Sequence, residues 1–253
     1  MHEADLYNKN CFITLTYSKR YLPPGGTLVL SHFQDFMKRL RFRFGPGIRF
    51  FHCGEYGELR GRPHYHALLF NFDFPDKYEW RRTDLDFQCW RSPALEELWR
   101  FGNSEIGSVT FESAAYVARY ITKKITGPMA ALAYTDFDLV TGEVFGEKKP
   151  EYCTMSRRPG IGAGYYSAFS RDIFRRSGFY IRRDDKYIKC RPPKFYDGRY
   201  EIDDVADFER VKEERGELAR KLNTDNSPER LEVRRKVHER RARMLKRGFE
   251  DGR

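Results

Sequence analysis

Two runs of sequence decide the fold, Ile48-Arg-Phe-Phe-His-Cys-Gly-Glu-Tyr56 and Pro63-His-Tyr-His-Ala-Leu-Leu-Phe-Asn-Phe72. Both runs are rich in aromatic and aliphatic residues, and the segment between them, residues 57–62, is polar and contains glycine. Two such runs joined by a short glycine-containing loop are typical of a β-hairpin. The sequence therefore predicts two antiparallel strands, at residues 48–56 and 63–72.

A pair of histidines lies in the second of these strands. His64 and His66 are two residues apart, and because side chains alternate between the faces of a strand, both imidazoles lie on one face. Two imidazoles on one face can bind one metal ion, and the preceding strand and the loop offer a third ligand. The candidates for this third ligand are Glu55, which we prefer, and His52, Cys53 and Glu58.

The register of the hairpin decides between these candidates. Opposed residues of an antiparallel pair have a constant sum, and a slip of one residue exchanges the two faces. An odd sum, as in Glu55 opposite His64, places the carboxylate on the histidine face, whereas an even sum places His52 there. Two imidazoles and a carboxylate suit Mg²⁺ or Mn²⁺ acting on a phosphate, whereas Cys53 as the third ligand favours zinc.

Upstream of the hairpin, the sequence predicts one strand and one helix. Residues 11–17 alternate in the manner of a strand and are rich in β-branched and aromatic types. Ser31 and Gln34 fit a capping box, and the apolar residues after them recur at helical spacing as far as Gly45-Pro46-Gly47. We expect this amphipathic helix to pack on the core.

Downstream of the hairpin, residues 73–104 are polar and are interpreted as an irregular insertion that contains one short helix, begun at Ser92-Pro93. A short strand is predicted at residues 107–111, and a helix from Ser113 to Ile125. Residues 129–150 are predicted to form a loop or a hairpin.

Two tyrosines lie four residues apart in the helix Ser113 to Ile125. At about 3.6 residues per turn, the phenols of Tyr116 and Tyr120 project about 40° apart on one helix face. A phenol is a weak nucleophile at neutral pH because its ordinary pKa is about 10, and nearby cations favour the phenolate. Three cations lie on or beside the same stripe: Arg119, Lys123 and Lys124.

Basic and aromatic residues predominate in this sequence. Lysine and arginine outnumber aspartate and glutamate by 47 to 37, and 16% of the residues are aromatic. Such a composition favours nucleic acid, because cations neutralise phosphates and rings stack on unpaired bases. The two types are interleaved between residues 157 and 191, where the candidates for DNA contacts are Arg157, Arg158, Arg175 and Arg176. The alternative, that most rings of this segment are core and its arginines only solvated, stays open.

The length of 253 residues predicts one principal domain at residues 1–200, followed by a charged, largely helical tail at residues 201–253. The last helix of this tail is predicted to begin at Ser227-Pro228-Glu229. The five scattered cysteines contain no C-x-x-C pair and fit a reducing compartment. The sequence has no leader-like pattern and no apolar run long enough to cross a bilayer, so we expect an intracellular protein without membrane association.

These motifs resemble those of a known family. His64-Tyr65-His66 resembles the HUH motif, Tyr116-Val-Ala-Arg-Tyr120-Ile-Thr-Lys-Lys124 resembles the two-tyrosine motif that follows it, and Phe12-Ile-Thr-Leu-Thr-Tyr17 is similar to the first strand motif. Met155-Ser-Arg-Arg-Pro-Gly-Ile-Gly162 is similar to a stretch seen in the phage members. From about residue 11 to 170 the chain resembles the replication initiators of microviruses, especially the gokushovirus group.

The resemblance implies an α+β fold with an RRM-like (ferredoxin-like) core, in which an antiparallel sheet carries helices on one face and the metal lies between the sheet and the tyrosine helix. It implies a tyrosine-dependent DNA endonuclease and strand transferase of rolling-circle replication, with Mg²⁺ or Mn²⁺ as cofactor. The implied partners are single-stranded origin DNA and the host helicase and DNA polymerase, in the cytoplasm of the bacterial host. Arg119 stands where the family often has lysine, so a proton-transfer role would pass to Lys123 or Lys124.

Two alternatives remain at this point. The first is another HUH nickase, from a plasmid or a transposon, which shares the chemistry but differs in its DNA target. The second is a non-catalytic nucleic-acid-binding module with a structural zinc ion on Cys53, His64 and His66.

Overall fold

The computed structural model describes residues 1–57, 61–83, 86–125, 127–137, 140–183, 186–222 and 226–243. Within these ranges, the side chains of residues 120–123, 145, 182, 183, 222, 242 and 243 are not described. All statements below refer to this part of the chain.

Most strands of the described chain belong to one antiparallel sheet. They are β1 (Asn10–Tyr17), β2 (Arg49–Tyr56), β3 (Pro63–Phe70), β4 (Tyr78–Arg82), β5 (Gln88–Arg91), β6 (Gly102–Gly107) and β9 (Tyr152–Met155), arranged as β4-β5-β6-β1-β3-β2-β9. Two separate hairpins are formed by β7 (Thr135–Phe137) with β8 (Val144–Glu147), and by β10 (Phe179–Arg183) with β11 (Lys186–Cys190). The predicted hairpin is present as β2 and β3.

The helices are α1 (Leu30–Phe44), α2 (Pro93–Leu98), α3 (Phe111–Lys123), α4 (Met129–Tyr134), α5 (Ala163–Arg175), α6 (Lys194–Asp203), α7 (Val205–Leu222) and α8 (Pro228–Arg243). Together with the sheet they confirm the predicted α+β class. The helix α8 begins at the predicted proline, and residues 129–150 contain the short helix α4 as well as a hairpin.

Helices cover both faces of the sheet, whereas the resemblance implied helices on one face. On one side, Ile13, Leu15, Tyr65 and Leu69 form a core with α1 and α2. On the other side, where the histidines lie, apolar residues of the sheet pack against α3. Because β1 and β3 carry apolar residues at alternate positions on both sides, each face has a surface to bury. The residues of this second cluster are Phe12, Cys53, Leu68, Phe70, Tyr116 and Val117.

The start of α1 is fixed by the sheet rather than by a capping box. The predicted cap Ser31 lies inside the helix, and Val29 is the cap residue without a side-chain hydrogen bond. The Tyr65 hydroxyl accepts from the Val29 backbone nitrogen at 2.8 Å and donates to the Val29 carbonyl oxygen at 3.0 Å. A buried hydroxyl from β3 thus satisfies backbone groups that a serine satisfies in an isolated helix.

Residues 73–104 extend the sheet, and the expectation of an irregular insertion is corrected accordingly. The strands β4 and β5 lie at one edge, and Trp90 of β5 pairs with Ile106 of β6. The predicted helix start is present, since the Ser92 hydroxyl accepts from the Leu95 nitrogen at 3.1 Å. Buried side chains of this segment, including Trp99, complete the core around α1. The strand predicted at residues 107–111 lies earlier, at Gly102–Gly107.

The chain divides into two compact units, Met1–Ile161 and the residues from Gly162 onward. This division differs from the predicted one, which placed the change at residue 201. In the second unit, Phe208 and Val211 of α7 belong to an aromatic core with residues of α5 and α6. The first half of the predicted tail is therefore part of a packed unit.

The core around α1 offers a stability test within one helix. Phe36 is fully buried and Phe42 is 95% exposed. We expect Phe36→Ala to lower the free energy of unfolding of the first unit by about 3–5 kcal/mol, because it removes buried ring contacts and leaves a cavity. The matched control Phe42→Ala should change it by less than about 0.5 kcal/mol. Urea unfolding followed by far-UV circular dichroism measures both, and equal effects would contradict the described packing of α1.

Candidate active site

The register of β2 and β3 places Glu55 on the histidine face. Glu55 pairs with His64, and Cys53 pairs with His66, so the sum is odd. His52 lies on the opposite face, where its ring stacks on Phe33 with centroids 3.4 Å apart. This register confirms the odd-sum alternative and removes His52 from the possible ligands. Glu58 lies outside the described residues.

The two histidines converge on one carboxylate oxygen. Glu55 Oε1 lies 3.0 Å from His64 Nε2 and 2.8 Å from His66 Nε2. The ligand atoms of the three residues all lie within 4.8 Å of one another. In the part of the chain that is described, this is the one group of at least three histidine, cysteine or carboxylate side chains that could hold a metal ion.

Each imidazole is oriented through its second nitrogen. The Nδ1 atom of His66 lies 3.0 Å from Thr14 Oγ1, and the Nδ1 atom of His64 lies 3.0 Å from the Arg62 carbonyl oxygen. The ring of Phe12 is nearly parallel to the His66 ring, at 5.6 Å between centroids. Partners of this kind fix the ring orientation of metal-binding histidines and aim the other nitrogen at the ion.

Glu55 is ionised although it is buried. Its side chain is 1% exposed. Burial alone raises the pKa of a carboxyl group, but hydrogen bonds from His64 and His66 outweigh this and hold the pKa of Glu55 at about 2. The site therefore presents a carboxylate at neutral pH, which is the form that binds a cation.

The donor set fits a divalent ion such as Mg²⁺ or Mn²⁺. One carboxylate and two imidazoles converge from neighbouring strands, and their outer nitrogens are held by other groups. Cys53 lies opposite His66 but is not in this group. Burial raises the pKa of the Cys53 thiol, and its hydrogen bond with Cys153 raises it further, so the metal-free site does not favour a thiolate.

Tyr116 lies directly over this cluster. The helix α3 begins with a capping box in which Thr110 and Ser113 bond to each other's backbone nitrogens. Two residues that follow, Tyr116 and Val117, are buried against the histidine face of the sheet. The Tyr116 hydroxyl donates to Glu55 Oε1 at 3.2 Å, and its ring meets the His66 ring edge-on at 5.0 Å.

The remaining residues of the tyrosine helix are described only in part. The side chains of Tyr120 and Lys123 lie outside the described residues. Arg119 Nε donates to the Ala115 carbonyl oxygen at 3.1 Å, and Lys124 is exposed. Their predicted roles stay predictions.

The four arginines predicted to contact DNA are all exposed, but they belong to different units. Arg157 and Arg158 lie in the first unit, and Arg175 and Arg176 lie in the second. The rings of this segment divide between the two alternatives left open by the sequence. Tyr166 and Phe174 are core residues, whereas Phe169, Tyr180 and Tyr187 are exposed.

Thr14 is a site residue that the sequence analysis missed. Its position in the predicted strand 11–17 put it on one face with Phe12 and Thr16, but only the pairing of β1 with β3 shows that it lies opposite His66. A signal was present in the sequence, namely a hydroxyl at an alternate position of an otherwise apolar strand. The partner strand could not be inferred from it.

The Thr14 contact predicts a change in metal affinity. We expect Thr14→Val to weaken Mn²⁺ binding about 10- to 100-fold, because His66 loses the group that orients its ring. The matched control is Thr16→Val on the same face of β1, opposite His64, whose Nδ1 contacts the Arg62 carbonyl oxygen instead. Isothermal titration calorimetry measures both variants. Equal affinities in the two would show that Thr14 does not orient His66.

Comparison with known proteins places this site in a family context. Residues 10–125 match the family model of the replication-associated protein ORF2. The chain is 32% identical over 222 residues to the replication-associated protein ORF2 of Spiroplasma virus 4, which covers 84% of this chain and 65% of that protein. It is 39% identical over 132 residues to the replication-associated protein VP4 of Bdellovibrio phage phiMH2K, covering 49% of this chain and 42% of that protein. These matches support a replication protein of the microvirus type.

A third similar protein is the replication-associated protein ORF4 of Chlamydia phage 1, at 34% identity over 133 residues, 48% of this chain and 32% of that protein. The chain thus spans about two thirds or less of the length of these relatives. The range matched by the family model contains the three clustered residues and both tyrosines of this microvirus-type protein. No solved structure matches the chain. Among the described helices, none combines the length and the apolar character needed to cross a membrane.

Proposed function

We propose that this protein is a rolling-circle replication initiator, a metal-dependent endonuclease and strand transferase that cuts single-stranded origin DNA with a tyrosine. The observation that carries the proposal is the position of the Tyr116 hydroxyl, 3.2 Å from the carboxylate of the Glu55, His64 and His66 cluster. A nucleophile and a candidate cation site separated by one hydrogen bond can act on the same phosphate.

The proposed reaction exchanges one phosphodiester for another. The phenolic oxygen of a tyrosine bonds to the phosphorus of a DNA phosphodiester, and the bond between this phosphorus and the 3′ oxygen breaks. The tyrosine becomes joined to the 5′ end, the phenol gives up its proton, and the 3′ oxygen takes up a proton to become a hydroxyl. Because the phosphotyrosine diester conserves the bond energy, the later resealing needs no ATP.

Each residue of the cluster has a role in this proposal. Glu55, His64 and His66 would hold Mg²⁺ or Mn²⁺, which polarises a phosphate oxygen and stabilises the charge that develops on it. Thr14 and the Arg62 carbonyl oxygen hold the imidazoles in place. In the metal-free arrangement, the Glu55 carboxylate accepts the Tyr116 hydroxyl and so orients the phenol.

The second tyrosine completes the cycle. Tyr120 is four residues after Tyr116 in α3, which places the two positions on one face of the helix. In the proposed cycle one tyrosine opens the origin, the second cuts the regenerated origin, and the released 3′ hydroxyl attacks the first linkage to close a circle. The exposed Lys124, and Arg119 and Lys123, are proposed to favour the phenolates.

The proposed partners follow from this cycle. The free 3′ hydroxyl is a primer for the host DNA polymerase, and unwinding is assigned to the host helicase because the sequence contains no G-x-x-x-x-G-K-[ST] motif. The proposed place of action is the cytoplasm of the bacterial host. Arg157, Arg158, Arg175 and Arg176 are proposed to neutralise phosphates of the bound strand.

The test is the formation of a covalent adduct. The protein is incubated with Mn²⁺ and single-stranded oligonucleotides that tile the origin strand and carry a label at the 3′ end. Denaturing electrophoresis should show labelled protein, and mass spectrometry of the digested adduct should place the nucleotide on the α3 peptide. EDTA should prevent the adduct. Cleavage without any adduct, or an adduct on a different peptide, would refute tyrosine chemistry at this site.

The zinc-module alternative retains one specific observation, since Cys53 lies opposite His66. It requires tightly held zinc, thiolate ligation and DNA binding without cleavage. Metal analysis of the purified protein, with and without Cys53→Ser, separates the two functions. Zinc at one equivalent that is lost in Cys53→Ser would favour the module over the enzyme.

A further inference from the structure

The hairpin of β10 and β11 in the second unit presents two tyrosines on one face. Its register pairs Tyr180 with Lys189 and Ile181 with Ile188. Directly paired residues share a face, and so do residues two apart, so Tyr180, Lys189 and Tyr187 lie together on one side of the hairpin. The exposed fractions are 52% for Tyr180 and 70% for Tyr187. We call these three residues the tyrosine face.

The rings of the tyrosine face are spaced for separate contacts. Tyr180 and Tyr187 occupy diagonal positions across the two strands, which corresponds to about 7–8 Å between them. This separation leaves each ring plane available to a different planar group. Two-stranded sheets gain little stability by themselves, so exposed rings on such a hairpin are better explained by a ligand than by the fold.

The charge of the segment selects the class of ligand. Residues 179–191 contain five basic and two acidic residues, and three of the basic side chains are described as exposed: Lys186, Lys189 and Arg191. A surface for an apolar protein or a lipid tail would not need this excess of cations. Rings interleaved with cations match a strand whose phosphates and unpaired bases are both accessible.

We propose that the tyrosine face binds single-stranded DNA, with Tyr180 and Tyr187 each stacking on one unpaired base and Lys189 facing a phosphate. The proposal rests on the proposed function for its substrate class and adds to it a second contact with the strand, carried by the second unit. It assigns a binding role to residues of the chain beyond those that would perform the chemistry.

The test compares two double variants that differ only in ring stacking. Tyr180→Leu with Tyr187→Leu removes both rings, and Tyr180→Phe with Tyr187→Phe keeps them without the hydroxyls. Fluorescence anisotropy with a labelled single-stranded oligonucleotide in EDTA should show affinity about tenfold weaker or more for the leucine variant, because base stacking is lost. The phenylalanine variant should bind like the wild type. Equal affinity of the leucine variant and the wild type overturns the proposal.

Two probes separate stacking from general effects. An oligonucleotide of abasic sites offers phosphates without bases, so wild type and leucine variant should bind it equally. If the leucine variant loses the same affinity for abasic and ordinary strands, the rings act on the fold and the proposal fails. Lys189→Gln should lower the slope of log affinity against log salt by about 0.7, the value for one phosphate of a single strand; an unchanged slope contradicts the lysine contact.

Further controls exclude other occupants and keep the proposal distinct from the proposed function. Tyr78→Leu removes an exposed tyrosine of β4 in the first unit and should leave affinity unchanged. A leucine variant that binds DNA normally but changes its oligomeric state in light scattering would assign the face to contacts between copies instead. Because binding is measured in EDTA, it does not depend on cleavage. Absence of the covalent adduct defeats the proposed function, whereas unchanged binding of the leucine variant defeats the tyrosine face alone.

Discussion

Tyr116→Phe combined with Tyr120→Phe is expected to reduce the covalent adduct with single-stranded DNA by at least about a thousandfold, to the limit of detection. Phenylalanine lacks the oxygen that would bond to phosphorus, so no phosphotyrosine diester can form. It retains the ring that packs edge-on against His66 and within the apolar cluster of Val117 and Leu68. Denaturing electrophoresis with a labelled oligonucleotide and Mn²⁺ measures the yield. Unchanged nicking by the double variant would mean that another group or water attacks the phosphate.

The single variants and a control sharpen this result. In each single variant the remaining tyrosine can still open a strand, but the exchange between two covalent linkages is lost, so circular products should disappear while some adduct persists. Tyr187→Phe lies outside α3 and keeps its ring, so its adduct yield should equal that of the wild type. Mn²⁺ affinity of the double variant should remain within about twofold of the wild type, since the side chains proposed as ligands are unchanged.

The site could be predicted from the sequence because its parts obey short periods. His64 and His66 share a face by the alternation of a strand, and the positions of Tyr116 and Tyr120 share one by the period of a helix. What periodicity could not supply was the choice between Glu55 and His52, which depends on a register set by the whole hairpin. The odd sum of β2 and β3 brings in Glu55, and it also explains why His52 is buried on the opposite face against Phe33.

Features that depend on distant parts of the chain escaped prediction. Val29 begins α1 because the Tyr65 hydroxyl bonds to its backbone, and Ser31 is not needed. The β4 and β5 strands carry polar and charged residues because they lie toward one edge of the sheet, and polar composition was therefore mistaken for irregular structure. In α7, Phe208 and Val211 give a thin apolar stripe that gains meaning only from the aromatic rings of α5 and α6.

The two units divide the expected effects of mutation. Changes at Glu55, His64, His66 or Thr14 should act on metal affinity and cleavage, whereas changes at Tyr180 and Tyr187 should act on strand affinity. This separation is useful because the basic composition by itself supports only unspecific DNA binding. A protein that loses cleavage but keeps strand affinity is therefore informative about the site, and the variant that best produces it is a change of the shared carboxylate.

Glu55→Gln is expected to weaken Mn²⁺ binding at least about a hundredfold and to remove the adduct, while the affinity for single-stranded DNA in EDTA stays within about twofold of the wild type. Glutamine has the same shape and can accept hydrogen bonds, but it lacks the negative charge at the point where His64 and His66 converge, and neutral amides are poor substitutes for a carboxylate ligand. The matched control is Glu105→Gln: Glu105 pairs with Thr14 on the same sheet face and holds Arg81 through two hydrogen bonds of 3.0 Å. It should lose that ion pair yet keep Mn²⁺ affinity and adduct formation, as measured by calorimetry and denaturing electrophoresis. Because strand binding and metal binding are measured separately, an equal loss of both in Glu55→Gln would assign the carboxylate to the fold, and full cleavage by this variant would remove it from the metal centre.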